Sequence, residues 1–388
     1  IASAPAVKYK ASAALETQVR TPLLTELAPT SIVSDLVLTP RLDAILYTNR
    51  LEWKLVYEPK LQVRQAAVNP TLEVLQSVYT RADYRLLRQL SLIGVHTTTY
   101  GSFPFDQPGG NPPLGVLTRE STRYIYSETA AGLSTTLGLR RFYMYGTLGW
   151  VVNGLLSEPP ARPLRRGDAA MPQQRYPELR FQAFYGFARR DTLSFSVLGR
   201  DVSFSTGNRA ATLQLAPGLE HQFSPLVKLL VEPGLALGQA SSLRPGVAPE
   251  RLLLPTLEAT LKAPVPLGNH RPVQGRLRAR YLPYADPLST RLVPRGDVGL
   301  QLEWKGRRQA LVKGELTYAH PLTTGLHQHD AELRASTEVL WPLPVSRHLF
   351  LQARGQLTWM RHEVVSFTPL VQWFTSLGLV LRHDRGRL

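Results

Sequence analysis

From Val7 to Arg20 the side chains alternate, with Val7, Tyr9, Ala11, Ala13, Leu15, Thr17 and Val19 set against Lys8, Lys10, Ser12, Ala14, Glu16, Gln18 and Arg20. A period of two is a strand with one apolar and one polar face, and no helix produces it. The pattern recurs at Val273 to Tyr281, at Ala310 to Tyr318 and at Leu349 to Trp359. Runs of this kind predict about eighteen strands: 7–20, 31–48, 51–65, 71–81, 85–100, 123–138, 142–156, 174–188, 192–204, 210–222, 227–240, 250–263, 272–284, 294–305, 309–320, 328–341, 348–361 and 368–382.

The connectors sort into two kinds. Short, basic ones include Asn49-Arg50, Arg140-Arg141, Arg189-Arg190-Asp191, Gly306-Arg307-Arg308 and Ser346-Arg347. Long ones rich in Gly and Pro run over 101–119, 157–174 and 241–250. The two kinds mostly alternate, as the short periplasmic turns and long outer loops of a transmembrane barrel do. The expected fold is therefore all-β: one closed antiparallel transmembrane β-barrel over 1–388, with both termini on the short-turn rim and an outer-membrane location. A soluble pair of sandwiches would show a composition shift at a linker, and a propeller would show a blade repeat; the chain has neither.

Composition sharpens this picture. The 28 Gly and 31 Pro are spread along all 388 residues and disfavour long helices. No run approaches the ~18 apolar residues of a spanning helix. With no cysteine, disulfides and thiolate metal sites are impossible. The start at Ile1 is not that of a signal peptide, and the chain is read as a mature or trimmed form. Pro40, Pro59, Pro217, Pro233 and Pro255 share the outward parity of their strands. Pro40 and Pro59 flank one turn symmetrically and Pro217 and Pro233 another, so each pair should sit opposite one another, at bulges or bends. Trp53, Tyr57, Trp304, Trp341, Trp359 and Trp373 are candidates for interfacial girdles, against the ordinary preference of aromatics for strands.

With the apolar face toward lipid, the polar face lines a lumen that eighteen strands leave wide enough for water. The formal charge is +16, and the predicted lumen cations are Lys8, Lys10, Lys54, Arg180, Lys228, Lys262, Lys313, Arg334 and Arg354 together with Arg276, Arg278 and Arg280. Acids such as Glu16, Asp35, Glu232, Glu258, Glu315 and Glu338 are interleaved with them, so pairing across strands is the plain expectation. The three consecutive arginines at 276, 278 and 280, with no acid between them, form a ladder that would favour anions.

Catalytic chemistry finds no support. His327 and His329 beside Asp330 lack a further ligand and read as a surface loop, so no metal and no cofactor is called for, and Ser346 with His348 sits at a short turn without a pocket. The cations are too dispersed for a nucleic-acid-binding element. The chain is read as a channel and not as an enzyme.

The repeated unit of strand, basic tight turn such as Leu139-Arg140-Arg141 or Ala188-Arg189-Arg190-Asp191-Thr192-Leu193, strand and Pro/Gly-rich loop resembles the Wzp-type outer-membrane barrels of polysaccharide export over almost the whole chain. The resemblance implies an outer-membrane exit, in contact with lipid and lipopolysaccharide, that passes an anionic polysaccharide and works with a periplasmic polysaccharide-export (OPX) protein. It carries over no catalytic residue. Two other readings stand beside it: a general diffusion or anion-selective porin, whose constricting loop would be 101–119, and a plugged structural or motility-associated barrel.

Overall fold

The computed structural model describes residues 6–21, 32–64, 71–101, 124–137, 141–155, 173–241, 249–265, 273–286, 291–322, 330–362 and 366–387. Among these, eighteen strands follow one another: β1 (Ala6–Arg20), β2 (Val33–Tyr47), β3 (Leu51–Arg64), β4 (Thr71–Arg85), β5 (Leu90–Gly101), β6 (Tyr124–Leu137), β7 (Phe142–Leu155), β8 (Gln174–Gly186), β9 (Asp191–Phe204), β10 (Arg209–Ser224), β11 (Val227–Ser241), β12 (Glu250–Val265), β13 (Val273–Asp286), β14 (Arg291–Lys305), β15 (Leu311–Pro321), β16 (Ala331–Pro342), β17 (Leu349–His362) and β18 (Ser366–Arg387). Each pairs antiparallel with its sequence neighbours, and β1 also pairs with β18, from Lys8 opposite Arg387 to Arg20 opposite Phe374. The sheet is thereby closed, and its strands pair within one chain. The ends of β1 and β18 share the rim of the Thr48–Arg50 turn, since Ala6 faces Tyr47 and Lys8 faces Arg387.

Alternation sets the faces. Leu253 is 67% exposed and Leu148 63%, whereas Leu254 and Val151, each one strand position on or equivalent, are buried. Leu277, Leu316, Leu351 and Leu357 stand on the exposed outer face. Outward Trp53, Tyr84, Tyr185, Phe223 and Trp341 all lie near the short-connector rim and form a girdle there, with Trp304 and Trp341 stacked at 6.3 Å. The outer face also holds one polar set at mid-strand. His96 Nδ1 bonds Thr129 Oγ1 at 2.8 Å and its Nε2 bonds Thr98 Oγ1 at 2.9 Å, so both ring nitrogens are satisfied within the sheet before they meet an apolar medium.

The prolines sit where expected but act differently. The β2–β3 register holds from Asp35–Leu38 through Leu42–Tyr47 with the same offset, and pairing is interrupted in between, where Pro40 faces Pro59. Likewise β10–β11 pairing stops after Leu215 and resumes at Leu219 with the offset unchanged, and Pro217 faces Pro233 in the gap. No residue is inserted, so these are not bulges. Two prolines face to face lack both N–H donors, and the ladder simply loses its rungs there.

Boundaries agree within a few residues except at two places. The turn placed near 81–85 lies at Leu86 to Gln89, and β18 continues to Arg387. The long connector 101–119, His327 and His329 fall almost wholly outside the described residues, as does Arg140.

Candidate functional site

The inward faces of β6 to β14 enclose a cavity of about 730 Å³. Its charged lining consists of five arginines, Arg180, Arg200, Arg278, Arg280 and Arg295, and five carboxylates, Glu128, Glu178, Glu232, Glu258 and Asp297. Tyr126, Tyr145, Tyr176 and Tyr284 lie among them. The compartment is thus densely charged and formally neutral.

Antiparallel register explains who meets whom. Glu258 stands directly opposite Arg280, and Arg280 directly opposite Asp297. Arg280 Nε donates to Asp297 Oδ1 at 2.8 Å, and Arg278 Nε donates to Glu258 Oε1 at 3.0 Å. On the facing strands Glu178 accepts from Arg200 Nε at 2.5 Å and also pairs with Arg180, which reaches Glu128 at 3.3 Å. Tyr126 donates its hydroxyl proton to Glu128 at 2.6 Å. Glu232 faces the like-charged Glu258 across β11 and β12 and accepts a hydrogen bond from Ser194 at 3.2 Å. Gly218 lies between those two partners; a Cβ there would come within 2.3 Å of Ser194 Oγ and 2.5 Å of the Glu232 side chain, so the contact exists because the position has no side chain. These ion pairs are partly open to the lumen, where each is worth at most about 1 kcal/mol. Their main consequence is a lining of fixed donors and acceptors with little net field.

The sequence-predicted ladder divides. Arg278 and Arg280 line the cavity and are ion-paired, while Arg276 is exposed and makes no ion pair among the described residues. Register instead joins Arg276 to cations on neighbouring strands: Lys228 faces Lys262, and Lys262 faces Arg276. Lys228 bonds Glu220 at 3.2 Å, and Lys262 is exposed. This row crosses β11, β12 and β13 near the short-connector rim and was not visible along any one strand.

The remaining predicted lumen cations are spread around the barrel. Lys8 lies over the Tyr47 ring at 5.2 Å and Lys54 over Tyr79 at 5.9 Å. Lys10 is exposed two residues further along β1. Lys313 stands between Glu303 and Glu338 in register, Arg334 donates to Gln356 at 3.3 Å, and Arg354 pairs with Glu16 at 3.2 Å. None of these joins the cavity.

Sequence reasoning missed two inward features. At the far end of the barrel wall, Arg20 Nε donates to Asp35 Oδ2 at 2.6 Å and Gln62 Nε2 donates to the same oxygen at 2.5 Å, all three side chains being almost fully buried. At the short-connector rim an inward apolar cluster gathers Ala14, Leu340, Phe350 and Val380, with Arg382 over the Phe350 ring at 5.1 Å. A stray Phe or Leu at polar parity was the available signal. Among the described residues no group of three or more His, Cys, Asp or Glu side chains is placed to hold a metal ion.

A closed antiparallel barrel with an apolar outer belt, an aromatic girdle and a polar interior is an integral outer-membrane channel in contact with lipid and lipopolysaccharide. The chain belongs to the EpsX exopolysaccharide export family, whose model matches residues 1–386. No curated protein matches it. Among solved structures it is similar to OccK2 (OpdF) of Pseudomonas aeruginosa, at 11% identity over 97% of this chain and 98% of that one with a TM-score of 0.47. It is also similar to the outer-membrane protein OpdK of Pseudomonas aeruginosa, at 13% identity over 98% and 99% with a TM-score of 0.47. OccAB3 of Acinetobacter baumannii gives 9% identity, 97% and 99% coverage and a TM-score of 0.47.

Proposed function

We propose that the barrel is the outer-membrane exit for an acidic exopolysaccharide, which crosses the lumen from the short-connector rim to the long-connector rim. The observation that carries this reading is the lining of paired arginines and carboxylates. Such groups offer hydrogen bonds to sugar hydroxyls at every step without a net charge that would hold the chain in place, and a solute that must also leave requires weak, repeated binding. The row of Lys228, Lys262 and Arg276 supports an acidic cargo. Like charges placed side by side across strands are destabilising, and here they stand where a polymer would enter.

The reading includes a periplasmic OPX-type partner at the same rim. Exposed Arg50, Arg88, Arg141, Arg189, Arg190, Arg307, Arg308 and Arg347 stud its connectors and would complement an acidic docking face.

The test is the triple variant Lys228→Gln, Lys262→Gln and Arg276→Gln. It should keep heat-resistant barrel migration, lower the amount of surface polysaccharide and shift ion selectivity toward cations. A selectivity shift with unchanged polymer would mark a general anion channel instead, and no change in either would overturn the reading. Gln at 278 and 280 is a poorer probe, because it leaves Glu258 and Asp297 without their partners.

A further inference from the structure

On one sector of the long-connector rim the apolar outer face ends in charge. The outward parity is that of Leu179 and Tyr185 on β8, of Leu213 and Leu219 on β10, and of Leu253 and Leu257 on β12, all of them exposed. Followed away from the short-connector rim, the same parity brings β8 to Arg175, β10 to Arg209 and β12 to Arg251, each exposed. Every pairing from β8 to β12 keeps a single offset over this stretch, so no bulge turns these side chains inward. The inner face holds their neighbours Gln174, Ala210 and Leu254, which are buried.

Register gathers the three arginines. Arg175 faces Ser203, Ser203 faces Arg209, and Arg209 faces Ser241. One two-residue step nearer the apolar belt, Asp201 faces Ala211, Ala211 faces Gln239, and Gln239 faces Arg251. With strands about 4.8 Å apart, successive arginines start from backbone positions about 10–12 Å from one another.

Their charge is only partly answered. Arg209 is held by both oxygens of Asp201, with Nε donating to Oδ1 at 2.6 Å. Arg175 donates from Nε at 3.0 Å and from Nη2 at 2.8 Å to the neutral side-chain oxygen of Gln173. Gln173 is anchored in turn by its backbone N–H, which donates to Ser205 Oγ at 3.1 Å. Glu250, next to Arg251, has inward parity and faces Ala240. Among the described residues neither Arg175 nor Arg251 makes an ion pair.

Height decides what meets them. From Arg175 to Tyr185 is about 33 Å of strand, which a tilt of about 40° reduces to about 25 Å, the height of the lipid-facing band. Tyr185 belongs to the girdle at the short-connector rim, so Arg175 stands at the opposite interface, among the headgroups of the outer leaflet. A single arginine there costs little, but like charges side by side repel unless an anion lies between them. Guanidinium groups take phosphate bidentately, and Ser203, Ser241 and Gln239 stand between them as partners for sugar hydroxyls. Directly below, exposed Leu213, Leu237 and Leu253 meet acyl chains, so the fitting anion is one that carries its own chains.

We propose that the outer face of β8 to β12 at the long-connector rim is a binding site for lipopolysaccharide, with its phosphates on Arg175, Arg209 and Arg251 and its acyl chains along the leucines beneath. The site lies outside the wall and is independent of what passes through the lumen. Its test uses the purified barrel in detergent and rough lipopolysaccharide of defined structure, with and without its phosphates. The unmodified chain should bind the phosphorylated form at least about tenfold more tightly than the dephosphorylated one. Arg175→Gln with Arg251→Gln, which leaves the Arg209–Asp201 pair in place, should lose that preference and keep heat-resistant migration. Arg190→Gln with Arg307→Gln, on the opposite rim, should retain it. Equal binding of the two forms by the unmodified chain would overturn the proposal whether or not the variants assemble. So would an assembled Arg175, Arg251 double variant with its preference intact. Phosphatidylglycerol micelles that displace lipopolysaccharide at equal phosphate concentration would also overturn it, since the sector would then be a general surface for anionic lipid.

Discussion

At the scale of single residues, the inward face is where charge has to be resolved, and it is resolved locally. Asp35 takes hydrogen bonds from Arg20 and Gln62 on two neighbouring strands in a spot that excludes water. Removing one partner leaves a buried charge uncompensated, so Asp35→Ala should cost about 3–5 kcal/mol, read as a fall in the temperature at which the detergent-solubilised barrel loses its heat-resistant migration. Such a site was half legible in the sequence. The polar parity of Arg20, Asp35 and Gln62 was visible, but their meeting depends on register between strands, and one strand's sequence carries no record of its neighbour's offset. The same blindness made Arg276, Arg278 and Arg280 look like one ladder, when register ties two of them to Glu258 and Asp297 and the third to Lys262.

At the scale of elements, period-two alternation located nearly every strand, because a one-residue slip would turn each leucine from lipid into water. Ends were harder. Leu86-Leu87 reads as strand yet forms the β4–β5 turn, because apolar residues at a tight turn do not disturb alternation. Nor could alternation reveal that Leu292 of β14 packs with Val202, Phe204, Ala210 and Ala240 of β9 to β11, since the two-residue rhythm of β14 is the same whatever its inward side chains meet. Turn chemistry gives a prediction of its own. In the Gly306–Ala310 connector Arg308 and Gln309 both hold positive φ, 52° and 67°, a region that costs a side-chain-bearing residue about 1–2 kcal/mol. Gln309→Gly should therefore stabilise the barrel by about 1 kcal/mol, seen as slower unfolding in denaturant with the same assembled form.

At the scale of the whole molecule, closure of the sheet, the apolar belt and the charged interior are one solution to one constraint: strands pair with one another and charge is turned inward, inside a shell that meets lipid. This much followed from alternation and connector length. The interior's division into a cationic row near the short-connector rim and a neutral charged cavity did not, because each is assembled by register between strands. The central claim is that polymer travels through this interior and not beside it. Gln214 faces the cavity, and a cysteine there would be unique in the chain. The most direct measurement is the rate at which polysaccharide appears on cells carrying Gln214→Cys, before and after labelling with a bulky membrane-impermeant thiol reagent. The account predicts that labelling halts the appearance of new polymer and that reductive removal of the label restores it; full labelling with an undiminished rate would contradict passage through the lumen.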